Sequence, residues 1–531
     1  MMTKKLLLTI ILLLLVSVSQ IEAQPEVELP SFVITGLRSY DFPPRDKINP
    51  DFYSILSDNF KRPKIADSIL ALAKDFDPKV AREILRDTSE YTTGYVSGSF
   101  GNMFQPAIKG FISAPMKDVV LFAGGDFSRR QAFIDNADET NFAVNAGIKY
   151  FAYNDSVLDP GTEYFASFSM KKSLFKFFAS DDPTRSRDNS YFNPEIGFRN
   201  LSYEYLQYGA KLKGDLFAQN LGQYSENIIS AEGFFNTRYE FIEIFSNIAI
   251  RQQNLTDSSG NSFKNNFLQV SGLGGFVVGR TMKLLGGIDI TSTPNDTYLS
   301  PVVKYSLRFI NGLFLVASYN PSTNILFNQD KVASNQYFKL ADSSSFSVLR
   351  KKHNLNAVLK YEYEKLIEFE TGVSWFMADA YPFYRESASR GSFTMSEADV
   401  KGFEGFFSAT FHPGILGRFV GELKFNTIQD EFSKQVPYAP QFEIYAAYGN
   451  NYDKTLSYDI KIGYIGKSFA DIGNTIEIDG GIDLGFNVEY NYIPNIKLFL
   501  RGTDMLNTKI MKWGKYETPG FNIMGGVQFS W

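Results

Sequence analysis

The sequence predicts an all-β chain: one large transmembrane antiparallel β-barrel of about 22 strands, an even number, behind a short N-terminal helical segment. Three observations predict it. Apolar and polar residues alternate with period two from Thr92 to the end of the chain. Short turns alternate with long polar connections along the same stretch. The chain carries 30 Tyr, 50 Phe and 3 Trp, 16% of its 531 residues, which a barrel uses in its interfacial girdles and on its lipid face. Mean hydropathy is −0.17, too low for a bundle of membrane helices, and no stretch after the N-terminus reaches the roughly 18 apolar residues of a spanning helix.

Residues 1–23 read as a secretory signal peptide. Lys4 and Lys5 precede an apolar run over residues 6–16, and Ala23 suits the cleavage site. No cysteine occurs anywhere, which excludes disulfides, a lipoprotein anchor, thiolate metal sites and a Cys nucleophile. The net charge of −5 and the lack of a basic run exclude a nucleic-acid partner.

Residues 24–91 form a separate periplasmic or lumenal segment. Residues 24–51 are rich in Pro and charge and read as extended. Ile65, Ile69, Leu70, Leu72 and Ala73 keep helical spacing, and Asp77-Pro78 opens a second short helix through Val80, Ala81, Ile84 and Leu85.

Residues 92–531 form the barrel. Ile482, Leu484, Phe486, Val488, Tyr490 and Tyr492 alternate with polar or small residues up to a turn at Ile493-Pro494-Asn495, after which Ile496, Leu498 and Leu500 resume. A second hairpin runs from Leu355 to Tyr363, turns near Glu364-Lys365 and returns from Ile367 to Trp375. A third turns at Asn311-Gly312. A further strand carries Leu456, Tyr458, Ile460, Ile462 and Tyr464. Residues 521–531 alternate without a break and end on Trp531. The long polar connections are expected at 176–193, 321–352, 377–402, 428–440 and 505–519.

The polar faces of these strands give the lumen-facing candidates: Lys360, Glu362, Glu368, Glu370, Asp459, Lys461, Asp483, Asn487 and Glu489. They would tune the passage of polar solutes, and a wet lumen needs polar side chains in any case. Trp375, Tyr490, Tyr492, Trp513 and Trp531 are candidates for the interfacial girdles. Asp479 and Asp483 are expected on one strand, reaching inward together. The two histidines, His353 and His412, are expected at barrel ends. They support neither a Ser/His pair nor a metal site, so the chain reads as a non-enzyme without cofactor.

Two stretches resemble the TonB-dependent receptors of the Gram-negative outer membrane. Residues 96–102, 108–115 and 121–130 are similar to the first three strands of that family's barrel. Gly502-Thr503-Asp504-Met505-Leu506-Asn507, then Tyr516, Pro519-Gly520 and the last strand, resemble its closing segment, with Phe521 where Arg is usual. Pro30-Ser31-Phe32-Val33-Ile34-Thr35-Gly36-Leu37-Arg38 looks like the family's introductory segment. In the family a plug domain of well over a hundred residues follows; here residues 39–91 stand in its place, so the resemblance implies a missing or reduced plug.

The resemblance implies an outer-membrane location, contact with membrane lipid and recognition of Trp531 by the barrel assembly machinery. It also implies passage or binding of a polar solute. A barrel of this size without a full plug has to be blocked by residues 52–91, by inward-folded loops or by a partner. The alternative is a structural or secretion-related barrel that anchors a periplasmic or surface partner protein.

Overall fold

The computed structural model describes residues 94–531, apart from 104, 132, 155–159, 202–205, 221–222, 279–280, 341–345, 364–365, 413 and 453–454. The signal peptide, the segment 24–91, the family-like stretch 30–38 and the turn at Glu364-Lys365 lie outside the described residues.

The strands form a closed antiparallel barrel of 22 positions. The thirteenth position is shared by two pieces, Leu313–Tyr319 and Ser322–Phe327, which both pair with Phe346–Tyr363. The ring closes where the first strand, Gly94–Gly101, pairs with the last, Asn522–Ser530, as well as with Ala107–Met116. Apart from one stretch at residues 297–302, closure removes the exposed sheet edges that neither water nor hydrocarbon tolerates well.

The alternation in sequence becomes the two faces of the wall. On the strand Ile242–Thr256, Ile242, Ile244, Ile248 and Ile250 are exposed on the outside, while Glu243 is buried on the inside. The same outward apolar row recurs around the ring in Ile108, Ile112, Phe403, Phe407, Leu423 and Leu498. A continuous belt of this kind would drive aggregation in water and is what a hydrocarbon-facing wall requires.

The connections sort by end. Two-residue turns such as 311–312 and 494–495 join strands at the end that holds Gly94 and Trp531. Gly312 has φ 86°, a conformation that a β-carbon would strain. The opposite, loop end carries 328–340, 431–441, 466–480 and 504–521.

The expected loops 176–193 and 377–402 are too long. Strands Gly161–Lys176 and Ser186–Asn200 leave only 177–185, and Ile367–Glu386 and Phe393–Phe411 leave only 387–392. These strands continue beyond the apolar belt, where the apolar/polar alternation lapses: residues 186–190 are polar on both faces, and residues 377–386 mix apolar and charged residues around a register shift between Ala378 and Tyr381. The strand expected to carry both Asp479 and Asp483 starts at Gly481, so Asp479 lies outside it and does not reach inward beside Asp483. His353 sits within Phe346–Tyr363 and not at a barrel end, exposed on the outer wall, where its Nδ1 lies 2.9 Å from the Tyr319 hydroxyl.

Candidate functional site: the lumen wall and the loop layer across its mouth

All nine lumen candidates stand on the inward face, opposite in parity to the exposed apolar row of their strands. The structure brings some of them together. Asp459 is opposite Asn487, and Asn487 is opposite Arg501. The Asn487 amide donates to Asp459 Oδ1 at 3.1 Å, and Arg501 Nε donates to Asn487 Oδ1 at 3.2 Å. Glu489 takes Lys497 at 2.9 Å and Arg501 at 3.8 Å. Asp483 is buried and accepts the Asp504 N–H at 3.0 Å, so it anchors the loop 504–521. On the neighbouring wall Lys360 is opposite Glu370, and Glu362 is opposite Glu368. Lys461 is opposite Gly485, two rows along from Asp459.

Sequence reading missed the longer part of this ladder. Arg199 pairs with Glu163 at 2.7 Å, Lys211 reaches Glu232 at 3.4 Å and Glu195 at 3.8 Å, and Lys283 meets Glu243 at 2.5 Å. Cations and carboxylates alternate from strand to strand, so the wall suits a polar or zwitterionic solute and offers no single-sign field. Among the described residues no group of His, Asp and Glu is placed to hold a metal ion.

The girdle candidates divide. Trp375, Tyr490, Tyr492 and Trp531 are exposed on the outer face. Tyr490 and Tyr492 belong to an aromatic ring at the turn end that also includes Tyr153, Tyr239, Phe309 and Tyr452. Trp513 does not belong to a girdle. It packs on Tyr384 at 4.9 Å, Tyr438 at 5.1 Å and Phe393 at 5.8 Å, inside a cluster of loop-end aromatics.

That cluster spans the mouth. Phe177 follows the fifth strand, Tyr337 lies between the thirteenth and fourteenth, and Tyr516 lies between the last two. These positions are spread around the whole ring, so their side chains meet only by reaching over the lumen. Tyr337 stacks on Tyr516 with centroids 3.5 Å apart, and meets Phe175 and Phe177 edge-on at 5.7 and 5.8 Å. The Tyr516 hydroxyl donates to Gly391 O at 2.7 Å. Burial pushes the hydroxyl pKa values of Tyr337 and Tyr516 up.

Polar anchors fix the loop that supplies Tyr337. The short helix Asn328–Ser334 starts against Glu226, whose carboxylate accepts the Asn328 N–H at 3.2 Å and the Gln329 N–H at 2.7 Å. Arg187 donates to Phe338 O at 2.6 Å and lies over the Phe177 ring. The Tyr384 hydroxyl donates to Lys331 O at 2.8 Å. Val332 and Phe338 complete an apolar core with Phe217, Tyr224 and Leu255. Burial lowers the Lys331 ammonium to about 8. Because the hydrogen bonds among these contacts join residues 53 to 151 positions apart, no local sequence pattern announces them.

No family model matches the chain, and no curated protein matches it. Solved structures do share its fold. The FrpB iron transporter from Neisseria meningitidis superposes with a TM-score of 0.65 at 10% identity, over 82% of this chain and 81% of that one. The ferric-catecholate import receptor Fiu from K12 E. coli gives 0.64 at 8% identity, over 83% and 82%. The copper transporter OprC gives 0.61 at 11% identity, over 82% and 80%. The chain thus has the receptor-type 22-strand barrel that its opening and closing motifs resemble.

Proposed function

We propose that this chain is a TonB-dependent receptor-like barrel of the Gram-negative outer membrane that binds a polar solute and mediates its passage. Its location and its dealings with membrane lipid and the barrel assembly machinery belong to the same reading, which the apolar belt and the closed ring support. The structural neighbours named as iron and copper transporters and as an import receptor support the transport class. One observation carries the reading: a wall lined with alternating charges lies beneath a mouth closed by the Phe177–Tyr337–Tyr516 layer. A barrel serving only as an anchor needs no such pairing of a wet lumen with a shut mouth.

Planar-bilayer recording of the purified protein tests this, with deletion of residues 52–91 and weakening of the loop layer as comparisons. Full-length protein should conduct rarely, and the weakened forms should conduct more often. No current in any form, together with a stoichiometric protein co-purifying from native membranes, would overturn solute passage in favour of an anchoring barrel.

A further inference from the structure

The barrel wall has a seam. The strand Thr297–Ile310 pairs from Thr297 to Leu307 with Met282–Ser292 on one side. On the other side it pairs with Leu313–Tyr319 only as far as Val303 opposite Tyr319. Residues 297–302 carry no ladder partner on that edge among the described residues. The continuation of the neighbouring strand, Ser322–Phe327, keeps its ladder with residues 346–351 but has parted from residues 297–302 and leans inward with its free edge. Gln269 donates to Thr323 O at 3.3 Å, Phe327 meets Phe267 edge-on at 5.2 Å, and Arg350 lies over the Tyr298 ring from within. The helix Asn328–Ser334 follows at once and docks on Glu226.

The register explains where the strand departs. Val303↔Tyr319, Lys304↔Ser318 and Tyr305↔Ala317 define it. Continued along both chains, it sets Leu299 opposite Thr323 and Pro301 opposite Pro321. Two prolines facing each other remove two N–H donors from one rung of the ladder, so the pairing is weakest there. The next strands bend at the same height. Register shifts fall between Lys351 and His353 and between Ala378 and Tyr381, and Ala380 has φ 48°. Asn320 stays fixed to Asn354 by N–H···O at 2.8 Å, with the Asn354 amide donating back at 3.1 Å. A hinge line therefore crosses three adjacent strands.

We propose that Ser322–Phe327 and the helix after it form a gate hinged at Asn320-Pro321, with two positions. In the closed position, the one seen, the arm lies over the lumen and its aromatics complete the mouth layer. In the open position Ser322–Phe327 swings into the wall and pairs with residues 297–302 in the continued register, which withdraws the helix from Glu226 and clears the mouth. Each position satisfies what the other leaves unmet. The closed form leaves a free sheet edge and a buried Thr323 hydroxyl without a partner. The open form pairs that edge and gives up the aromatic layer. Two packings balanced in this way are what a ligand can bias.

The chain has no cysteine, so introduced pairs report cleanly. The pair Leu299→Cys with Thr323→Cys should crosslink under mild oxidant in native membranes, and several-fold faster when Glu226→Gln weakens the closed form. The reference pair Val303→Cys with Tyr319→Cys, adjacent in the wall as it stands, calibrates the assay. An out-of-register pair, Leu299→Cys with Phe327→Cys, should stay uncrosslinked. Failure of the Leu299/Thr323 pair in both backgrounds, while the reference pair closes, overturns the gate. So does equal crosslinking of the out-of-register pair. Neither outcome depends on whether a solute passes.

Discussion

The Gln329 N–H donates to Glu226 Oε2 at 2.7 Å, a bond between residues 103 apart in sequence. A helix leaves its first N–H groups without internal partners, and a side-chain oxygen just before the helix ordinarily accepts one. Phe327 stands at that position and has no oxygen to offer. Glu226, on the eighth strand of the wall, takes the role, and the Gln253 Nε2 donates a hydrogen bond to its carboxylate at 2.5 Å. Helix start and barrel wall are thereby one unit.

Glu226→Gln tests that bond. The amide keeps one acceptor and turns the other oxygen into a donor, so one of the two helix N–H groups loses its partner and docking should weaken by about 1–2 kcal/mol. Hydrogen exchange at the amides of 328–334 should then lose roughly ten-fold of its protection. Unchanged exchange would mean that the aromatic layer alone holds the helix.

The stacked pair Tyr337 and Tyr516 separates ring from hydroxyl. Tyr516→Ala removes the ring at the centre of the layer and should cost roughly 3 kcal/mol of closure. Tyr516→Phe keeps the stack and loses only the bond to Gly391, about 1 kcal/mol. In planar bilayers the Ala variant should conduct far more often than the parent and the Phe variant only slightly more. Similar behaviour of the two variants would place the effect in the hydroxyl and not in the stack.

Lys331 gives the layer a pH dependence of known sign. Burial lowers its ammonium to about 8 when docked, against 10.5 when free in water. Between those values the docked helix binds fewer protons than the released one, so docking strengthens as pH rises through that window and weakens as pH falls back towards 8. Below pH 8 the burial cost is present in full and no longer changes. Exchange protection of 328–334, corrected for intrinsic rates, should therefore grow from pH 8 to 10, and Lys331→Met should flatten the profile. A slope that persists in the variant would assign it to another group.

The wall was legible because the membrane enforces it locally: every second residue must be apolar, as at Ile482, Leu484 and Phe486, whatever lies across the lumen. Strand ends were less legible. Ser186-Arg187-Asp188-Asn189-Ser190 is polar on both faces because it stands above the belt, and period two vanishes from the sequence although the ladder continues. The mouth layer was not legible at all. Trp513 has the composition of a girdle residue, and its contacts with Tyr384, at the loop end of the strand Ile367–Glu386, and with Tyr438, in the connection 431–441, arise only when the ring brings these segments together. Pro301 and Pro321 likewise gain meaning from a register that neither states alone.

Ring closure itself has a measurable weak point at Gly94. The Trp531 N–H donates to Gly94 O at 3.0 Å, and the Trp531 ring folds back over Gly94 and stacks on Phe529. A β-carbon at Gly94 would stand 2.6 Å from that ring and 2.9 Å from Phe111 O. Gly94→Val must therefore push the indole off the joint between the first and last strands, at a cost of about 1–3 kcal/mol. The unfolding temperature, read from heat-modifiable migration in gels, should fall. Trp531→Ala should lower it too, by loss of packing. Combined, the two should cost less than their sum, because the clash with the ring exists only while the ring is present. Strict additivity would show that the valine strains the backbone at Phe111 and that Trp531 plays no part in sealing the ring.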